Sequence, residues 1–169
     1  MKAIVVYESL WGNTAAIARA IAEGVGPEAQ ALSTAEATAE ATAAAIADAD
    51  LIVAGAPVIA FRLPSERMRE SIRTNPTYSS KPPDLLHPPM RSWLAALPRG
   101  KGCAAAFETR FWWSPGGATS AIARGLERAG YRIVAKRQRF IVKGTYGPLR
   151  DGELERARAW GGELTKLIK

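Results

Sequence analysis

The sequence predicts an α/β protein in which helices cover both faces of a parallel β-sheet. Several apolar runs have the composition of buried strands: AIVVY at 3–7, LIVAGA at 51–56 and GCAAAF at 102–107, with weaker strand segments near 29–32 and from 131 onward. Segments with apolar residues at helical spacing alternate with these runs, as in strand–helix–strand units. A length of 169 residues favours a single domain with its own core, which we place over residues 1–169.

The turn after the first strand has the properties of an anion site. It reads SLWGNT at 9–14 and leads into a helix in which Ile17 and Ile21 recur among alanines, with Gly24 expected to end it. A tight turn from a strand into a helix directs unpaired N–H groups and the positive end of the helix dipole at one spot. This geometry binds phosphate, although the segment matches neither GxGxxG nor the P-loop. The alternative is an ordinary turn with Asn13 as the N-cap.

Helices are expected between the strands. Ser33 and Glu36 form a capping box ahead of an alanine-rich helix that reaches about Ala47. Pro64 is suited to a helix start, and apolar residues at helical spacing predict helices over 64–73 and 90–97. The connections are short enough for each helix to cross back over the sheet.

Two loops are expected at the same edge of the sheet as the anion site. PVIAFRL at 57–63 follows the third long strand, and ETRFWWSP at 108–115 follows the fourth. Ligands of open parallel sheets bind beyond the carboxyl ends of the strands. Phe61 is either a surface for a ligand ring or a core residue. The second loop offers three aromatic rings, which either stack on a planar ligand or pack under the proline-rich segment: Phe111, Trp112 and Trp113.

A proline-rich insertion at about 75–90 interrupts the regular pattern. It holds five of the eleven prolines, and two interpretations stand: a lid or docking surface, or a mobile insertion. His87 is the only histidine and lies in this segment without a candidate nucleophile or second metal ligand near it. Cys103 is the only cysteine, so we expect no internal disulfide, a reducing compartment and an inert core position.

The segment at 9–14 resembles the phosphate loop of the flavodoxin family, whose pattern is approximately Ser/Thr-x-Thr-Gly-x-Thr. Ser9, Gly12 and Thr14 match that pattern. Trp11 departs from it, because the family has a small hydroxyl residue at that position. The resemblance implies that this loop holds the phosphate of FMN, with one side-chain hydrogen bond of the family missing.

The resemblance covers nearly the whole chain. GAPV at 55–58 is similar to the first ring-contacting turn of flavodoxins, with Val58 in place of a hydroxyl residue, and 108–115 falls where they have the second. The ending GTYGPLRDGELERARAWG is similar to a set of actinobacterial flavodoxin-like proteins. The resemblance implies a flavodoxin-like three-layer doubly wound fold with a five-stranded parallel sheet of order 2-1-3-4-5. It also implies FMN as the cofactor, held by Ser9, Leu10, Trp11, Gly12, Asn13, Thr14, Pro57, Val58, Ile59, Ala60, Phe61, Glu108, Thr109, Arg110, Phe111, Trp112 and Trp113.

The chain is basic, and its charge is unevenly distributed. The formal net charge is +7 and the pI is about 9.9. Residues 1–60 hold two of the 23 basic and seven of the 16 acidic side chains, so the rest of the chain is strongly cationic. This asymmetry indicates either an anionic partner or only the Arg-rich surface that accompanies an Ala/Arg-rich composition. We expect no nucleic-acid partner, because the sequence contains no nucleic-acid recognition module. Because no apolar stretch approaches the roughly 18–20 residues that span a bilayer, and a strand begins at the N-terminus, we expect a cytoplasmic protein without a membrane span or signal peptide.

The first functional hypothesis is an FMN-dependent redox protein. It would act in electron transfer or in flavin-dependent reduction, with a quinone-type molecule as one acceptor and a redox partner protein or NAD(P)H as the donor. The resemblance implies a peptide flip in the loop after the third strand that bonds the reduced flavin. Because segment 57–63 contains no Gly, Asn or Asp to tolerate positive φ, we expect a poorly stabilised semiquinone, which favours two-electron chemistry. The alternative is a flavodoxin-fold binding or regulatory module that has lost FMN, which Trp11 and Val58 favour. The aromatic loop and the proline-rich insertion are each candidate interfaces, and the sequence assigns no oligomeric state.

Overall fold

The computed structural model describes residues 1–168. The strands are β1 (Ala3–Tyr7), β2 (Ala29–Ser33), β3 (Leu51–Pro57), β4 (Cys103–Arg110), β5 (Arg132–Ile133) and β6 (Gln138–Ile141). The helices are α1 (Asn13–Val25), α2 (Thr34–Thr38), α3 (Glu40–Ala47), α4 (Glu66–Thr74), α5 (Met90–Ala96), α6 (Thr119–Arg128) and α7 (Glu153–Leu167), with a 3-10 turn at Pro76–Tyr78. Within the described residues, no helix is both long enough and apolar enough to cross a membrane.

The strands form one parallel sheet of order β2-β1-β3-β4-β5, which confirms the order that the resemblance implied. The fifth position is shared by two short strands: β5 pairs with the start of β4, and β6 pairs with its end. The predicted fifth strand is therefore interrupted over 134–137. Tyr7 pairs with Gly55 and Pro57 with Thr109, so the carboxyl ends of β1, β3 and β4 meet at one edge.

Two apolar cores lie on opposite faces of the sheet, as expected of a three-layer fold. Ile52 and Ala104 face a core that includes α5 and α6, whereas Val53 and Phe107 face a second core built with α1 and α7. Gly55 is required at its position in β3, because a Cβ there would lie 2.1 Å from the ring of Phe107. Alternate residues of each central strand thus pack into different layers.

The packing of α1 against α7 corrects the expectation for Gly24. Helix α1 continues to Val25, and Gly26 at φ 132° caps it instead. A Cβ on Gly24 would lie 2.0 Å from the carbonyl oxygen of Arg158, and one on Gly161 would lie 2.3 Å from that of Ile21. These glycines are present because the two helix backbones approach each other closely.

The capping box at the second helix is confirmed, but the helix itself is divided. The Ser33 hydroxyl accepts from the Glu36 N–H at 3.2 Å, and the Glu36 carboxylate accepts from the Ser33 N–H at 2.7 Å. Ala39 then adopts extended backbone, with φ −60° and ψ 137°, and separates α2 from α3. Strong alanine helix propensity therefore does not keep the two segments continuous.

Candidate functional site

A cavity of about 200 Å³ opens at the edge of the sheet where β1, β3 and β4 end. Twelve of the predicted cofactor residues line it: Ser9, Leu10, Trp11, Asn13, Thr14, Pro57, Val58, Ile59, Ala60, Thr109, Arg110 and Phe111. Five do not line it: Gly12, Phe61, Glu108, Trp112 and Trp113. The structure therefore brings the three predicted loops together around one space.

The turn between β1 and α1 has the geometry of an anion cradle. Gly12 adopts φ 94°, and a Cβ built on it would meet nothing within 4 Å. The Ser9 hydroxyl accepts from the N–H groups of Gly12 at 3.1 Å and Ala15 at 3.3 Å. In residues 1–168 the N–H groups of Leu10, Trp11, Asn13 and Thr14 have no protein acceptor. These free donors at the positive end of a thirteen-residue helix can hold a phosphate group.

Three predicted side chains also fix neighbouring segments. The hydroxyl groups of Thr14 and Thr109 share a buried hydrogen bond of 2.7 Å, which joins α1 to β4. The Asn13 amide packs against Gly147, where a Cβ would lie 2.6 Å from its oxygen, and Gly147 has φ 97°. The segment around Gly147 thereby helps to close the cavity, and Thr145 is one of its lining residues.

Trp11 and Tyr78 line the cavity and form an aromatic cluster with Tyr146. The ring centroid of Trp11 is 5.1 Å from that of Tyr78 and 5.5 Å from that of Tyr146. The indole N–H of Trp11 donates to the Lys81 carbonyl at 3.0 Å, so the proline-rich insertion holds the ring in place. Sequence reasoning missed Tyr78 and Tyr146, because their contact with Trp11 joins segments that are distant in the chain.

The size of the cavity limits what fits in it. Ligand pockets usually measure roughly 300–1,000 Å³, which is more than this cavity provides. The free amides and the open space at Gly12 fit the phosphate end of FMN. The ring end has apolar walls from Val58, Ile59 and Phe111, and Trp11 and Tyr78 narrow the space.

The loop after β3 contains a strained turn that the sequence did not predict. Ile59 and Arg62 exchange two backbone hydrogen bonds, of 3.0 and 3.1 Å, across a two-residue turn. The central residues Ala60 and Phe61 have φ values of 46° and 68°, as in a type I′ turn. This loop therefore adopts positive φ without Gly, Asn or Asp, which removes the premise on which the expectation of two-electron chemistry rested. The Phe61 side chain is 53% exposed and lies outside the cavity lining.

The aromatic loop begins later than predicted, because β4 extends to Arg110 through its pairing with β3 and β6. Phe111 lines the cavity and stacks on Trp113, with centroids 5.5 Å apart and planes 7° from parallel. Trp113 is 59% exposed and Trp112 is 76% exposed. Of the three rings, only Phe111 is placed to contact a cavity ligand.

Glu108 is fully buried in β4 and binds other protein groups instead of facing the cavity. One carboxylate oxygen accepts from the N–H groups of Ala118 at 2.7 Å and Thr119 at 3.0 Å, at the start of α6. The other accepts from the Arg110 guanidinium at 2.8 Å. Since Glu108 belongs to a strand and points into the α6 layer, it stabilises a helix terminus and an internal ion pair.

A second buried ionic cluster, missed in the sequence, lies beneath the proline-rich insertion. One oxygen of Glu8 accepts from the Met90 N–H at 2.8 Å, and the other is 4.0 Å from the Arg69 guanidinium. Burial raises the pKa of Glu8 to about 7, although the Met90 N–H and Arg69 act in the opposite direction. The second Glu8 oxygen and the His87 Nε2 have no hydrogen-bond partner within the described part of the chain. In the sequence, this cluster is indicated only by Glu8, a carboxylate that directly follows an apolar strand.

Known structures share this architecture, although no protein-family model and no curated protein matches the sequence. A flavodoxin from the domain Archaea superimposes with a TM-score of 0.65 at 23% identity, over 99% of both chains. The chain has the flavodoxin fold. Flavodoxin 1 from Bacillus cereus gives a TM-score of 0.63 at 16% identity over 98% of both chains. A WrbA-like flavodoxin from Agrobacterium tumefaciens gives 0.60 at 20% identity, over 99% of this chain and 96% of that one.

Proposed function

We propose that the protein binds FMN at the carboxyl edge of its sheet and serves as a flavin-dependent redox protein. The observation that carries this proposal is the group of free N–H donors around Gly12, next to an apolar cavity at the end of β3 and β4. The flavodoxin fold supports the same location, because doubly wound sheets bind ligands where the strand order reverses.

The chain's own residues have distinct roles in this proposal. The N–H groups of Leu10, Trp11, Asn13 and Thr14 bind the phosphate and fix its position. The segment 57–60 and Phe111 form apolar walls that exclude water from the ring. The bound flavin supplies reversible electron transfer, and the protein supplies position and electrostatic environment.

We further propose a redox partner protein or NAD(P)H as the electron donor and a quinone-type molecule as one acceptor. Exposed aromatic side chains beside the cavity support a planar or apolar partner: Phe61, Trp112 and Trp113. The cationic character of the chain supports a donor that carries negative charge.

The variant Asn13→Asp tests the phosphate site. It places a carboxylate at the N-terminus of α1, where it favours the helix but repels a phosphate dianion. We expect the wild type to be yellow or to take up added FMN, and the variant to bind FMN about tenfold or more weakly, as a loss of roughly 1.4 kcal/mol predicts. Riboflavin, which has no phosphate, serves as the control and should bind both proteins equally. Equal FMN affinity in the two proteins would contradict the phosphate assignment.

A second candidate function is a binding module that carries no flavin, and the Trp11 cluster favours it because it restricts the cavity. A colourless wild type that takes up no FMN would support this alternative. The variant Trp11→Ser then identifies the cause: recovery of FMN binding would show that the indole ring occupies the space that the cofactor needs.

A further inference from the structure

A second depression lies next to the cavity, and it is lined by the outer side of the same turn, by α1 and by the proline-rich insertion. This groove measures about 810 Å³ and shares Ser9, Leu10 and Trp11 with the cavity. Its volume falls within the range of roughly 300–1,000 Å³ that is usual for sites of small organic ligands. Its cationic and proline-rich walls are not part of the proposed FMN site.

Three cationic side chains reach the groove: Arg19, Arg73 and Lys81. The Arg19 guanidinium lies 6.0 Å from the ring centroid of Tyr7, and the Lys81 ammonium lies 5.4 Å from that of Tyr146. Neither has a carboxylate within 4 Å among residues 1–168. Aromatic rings hold these cations without neutralising them.

The acidic groups near the groove are weak competitors for these cations. Arg73 is 3.5 Å from Glu70, but both side chains are about 60% exposed, and exposed pairs contribute little. Asp84 is the one carboxylate in the lining, and its Oδ1 already accepts from the Leu86 N–H at 3.0 Å. The groove therefore has an excess of two positive charges, which matches a phosphate dianion.

The remaining wall is apolar. Pro82, Pro83 and Leu85 line it, and the Leu86 side chain is 97% exposed. A leucine that is almost completely solvated gains free energy when a ligand covers it. Charge on one side and an apolar wall on the other suit a molecule with a phosphate at one end and a ring at the other.

We propose that this groove binds a nucleoside phosphate, with its phosphate between Arg73 and Lys81 and its base against the leucine and proline side chains. The groove adjoins the proposed FMN site, since the turn residues Ser9 to Gly12 line it, but Arg73 and Lys81 do not line the cavity. Trp11 lines both spaces, so binding in the groove changes the environment of the indole ring.

The double variant R73E/K81E tests the groove, with ADP and 2′,5′-ADP as probes in isothermal titration calorimetry. We expect the wild type to bind at least one probe and the variant to bind it at least about tenfold more weakly, because the reversed charges replace charge-assisted hydrogen bonds with repulsion. The matched control is R124E/K136E, which reverses two exposed cations at a separate depression beside α6. It should keep the wild-type affinity.

Two further titrations show which part of the ligand is recognised and whether the groove acts independently of the FMN site. Inorganic phosphate at the same concentration reports whether the base contributes, and equal affinity for phosphate and ADP would overturn the assignment to a nucleoside phosphate. Riboflavin, which has no phosphate, should bind R73E/K81E as tightly as the wild type, and FMN affinity should fall less than the affinity for the probe, so a failure of the FMN site and a failure of the groove are distinguishable. No binding of any probe to the wild type, or equal loss in the control variant, would overturn the proposal.

Discussion

At the scale of single residues, one buried carboxylate, Glu8, makes the stability of the fold depend on pH. Glu8 is completely buried, and burial raises its pKa from 4.5 to about 7. The folded protein therefore binds this proton more tightly than the unfolded chain. Its favourable contribution is fully present below pH 4.5 and is lost as the pH rises through 7, when an ionised carboxylate must remain buried.

The variant Glu8→Gln should remove this pH dependence while keeping the acceptor for the Met90 N–H. We expect its free energy of unfolding relative to wild type to increase by about 2–3 kcal/mol between pH 4.5 and 8.5. Urea unfolding at the two pH values measures the change. Glu163→Gln, which removes an exposed carboxylate from α7, is the control and should show no such trend. If the difference in the free energy of unfolding between Glu8→Gln and wild type were the same at both pH values, the raised pKa of Glu8 would be contradicted.

Single residues also show which parts of the site could be predicted from the sequence and which could not. Gly12 and the turn around it could be recognised, because a strand, a turn and a helix are consecutive in the chain. Glu108 was expected in a loop at the cofactor, but tertiary pairing with β3 and β6 extends its strand and turns its side chain towards α6. The contact of Trp11 with Tyr146 spans 135 residues, and no local pattern encodes it.

At the scale of elements, the turn from Ile59 to Arg62 stores backbone strain beside the cavity. Left-handed backbone costs roughly 1–2 kcal/mol for each residue with a Cβ, and Ala60 and Phe61 both adopt it. The turn is held by its own two hydrogen bonds and by the Gly117 N–H, which donates to the Phe61 carbonyl at 3.0 Å. Strained backbone of this kind clusters at functional sites.

The variant Ala60→Gly should relieve this strain. We expect it to be neutral or to stabilise the protein by up to about 1 kcal/mol, because the relief exceeds or balances the entropic cost of glycine, roughly 0.5–1 kcal/mol. Ala44→Gly makes the same chemical change at an exposed position of α3 and should destabilise by about 1 kcal/mol. Chemical denaturation of both variants gives the comparison. If the two variants lost stability equally, the turn would not be strained in solution.

At the scale of the whole molecule, the fold brings the basic part of the chain to the elements around the cavity. The basic residues lie mainly beyond residue 60, and that part of the chain supplies β4, its following loop and the loop residues that follow β3. The charge asymmetry could be predicted from the order of residues along the chain, whereas the strand order was implied by the resemblance to flavodoxins. Which charges remain free could not be predicted, since Glu108 neutralises Arg110 only in the folded protein.

The net charge of +7 leads to a prediction about the bound flavin that rests on the proposed FMN site. A positive field stabilises the anionic reduced form relative to the neutral oxidised ring and so raises the reduction potential. Salt screens this field, since the Debye length falls from about 30 Å at 0.01 M to about 3 Å at 1 M ionic strength. We therefore expect the midpoint potential of the FMN-loaded protein to fall as salt is added, as measured by spectroscopic redox titration.

Charge variants separate this field from a general effect of salt on flavin. Arg62→Gln removes a cation next to the loop that follows β3, and it should lower the midpoint potential at low salt and have a smaller effect at 1 M. Arg128→Gln makes the same change at the far end of α6 and should alter the potential less. A potential that is independent of salt, or that rises with it, would show that local contacts to the ring outweigh the field of the whole protein.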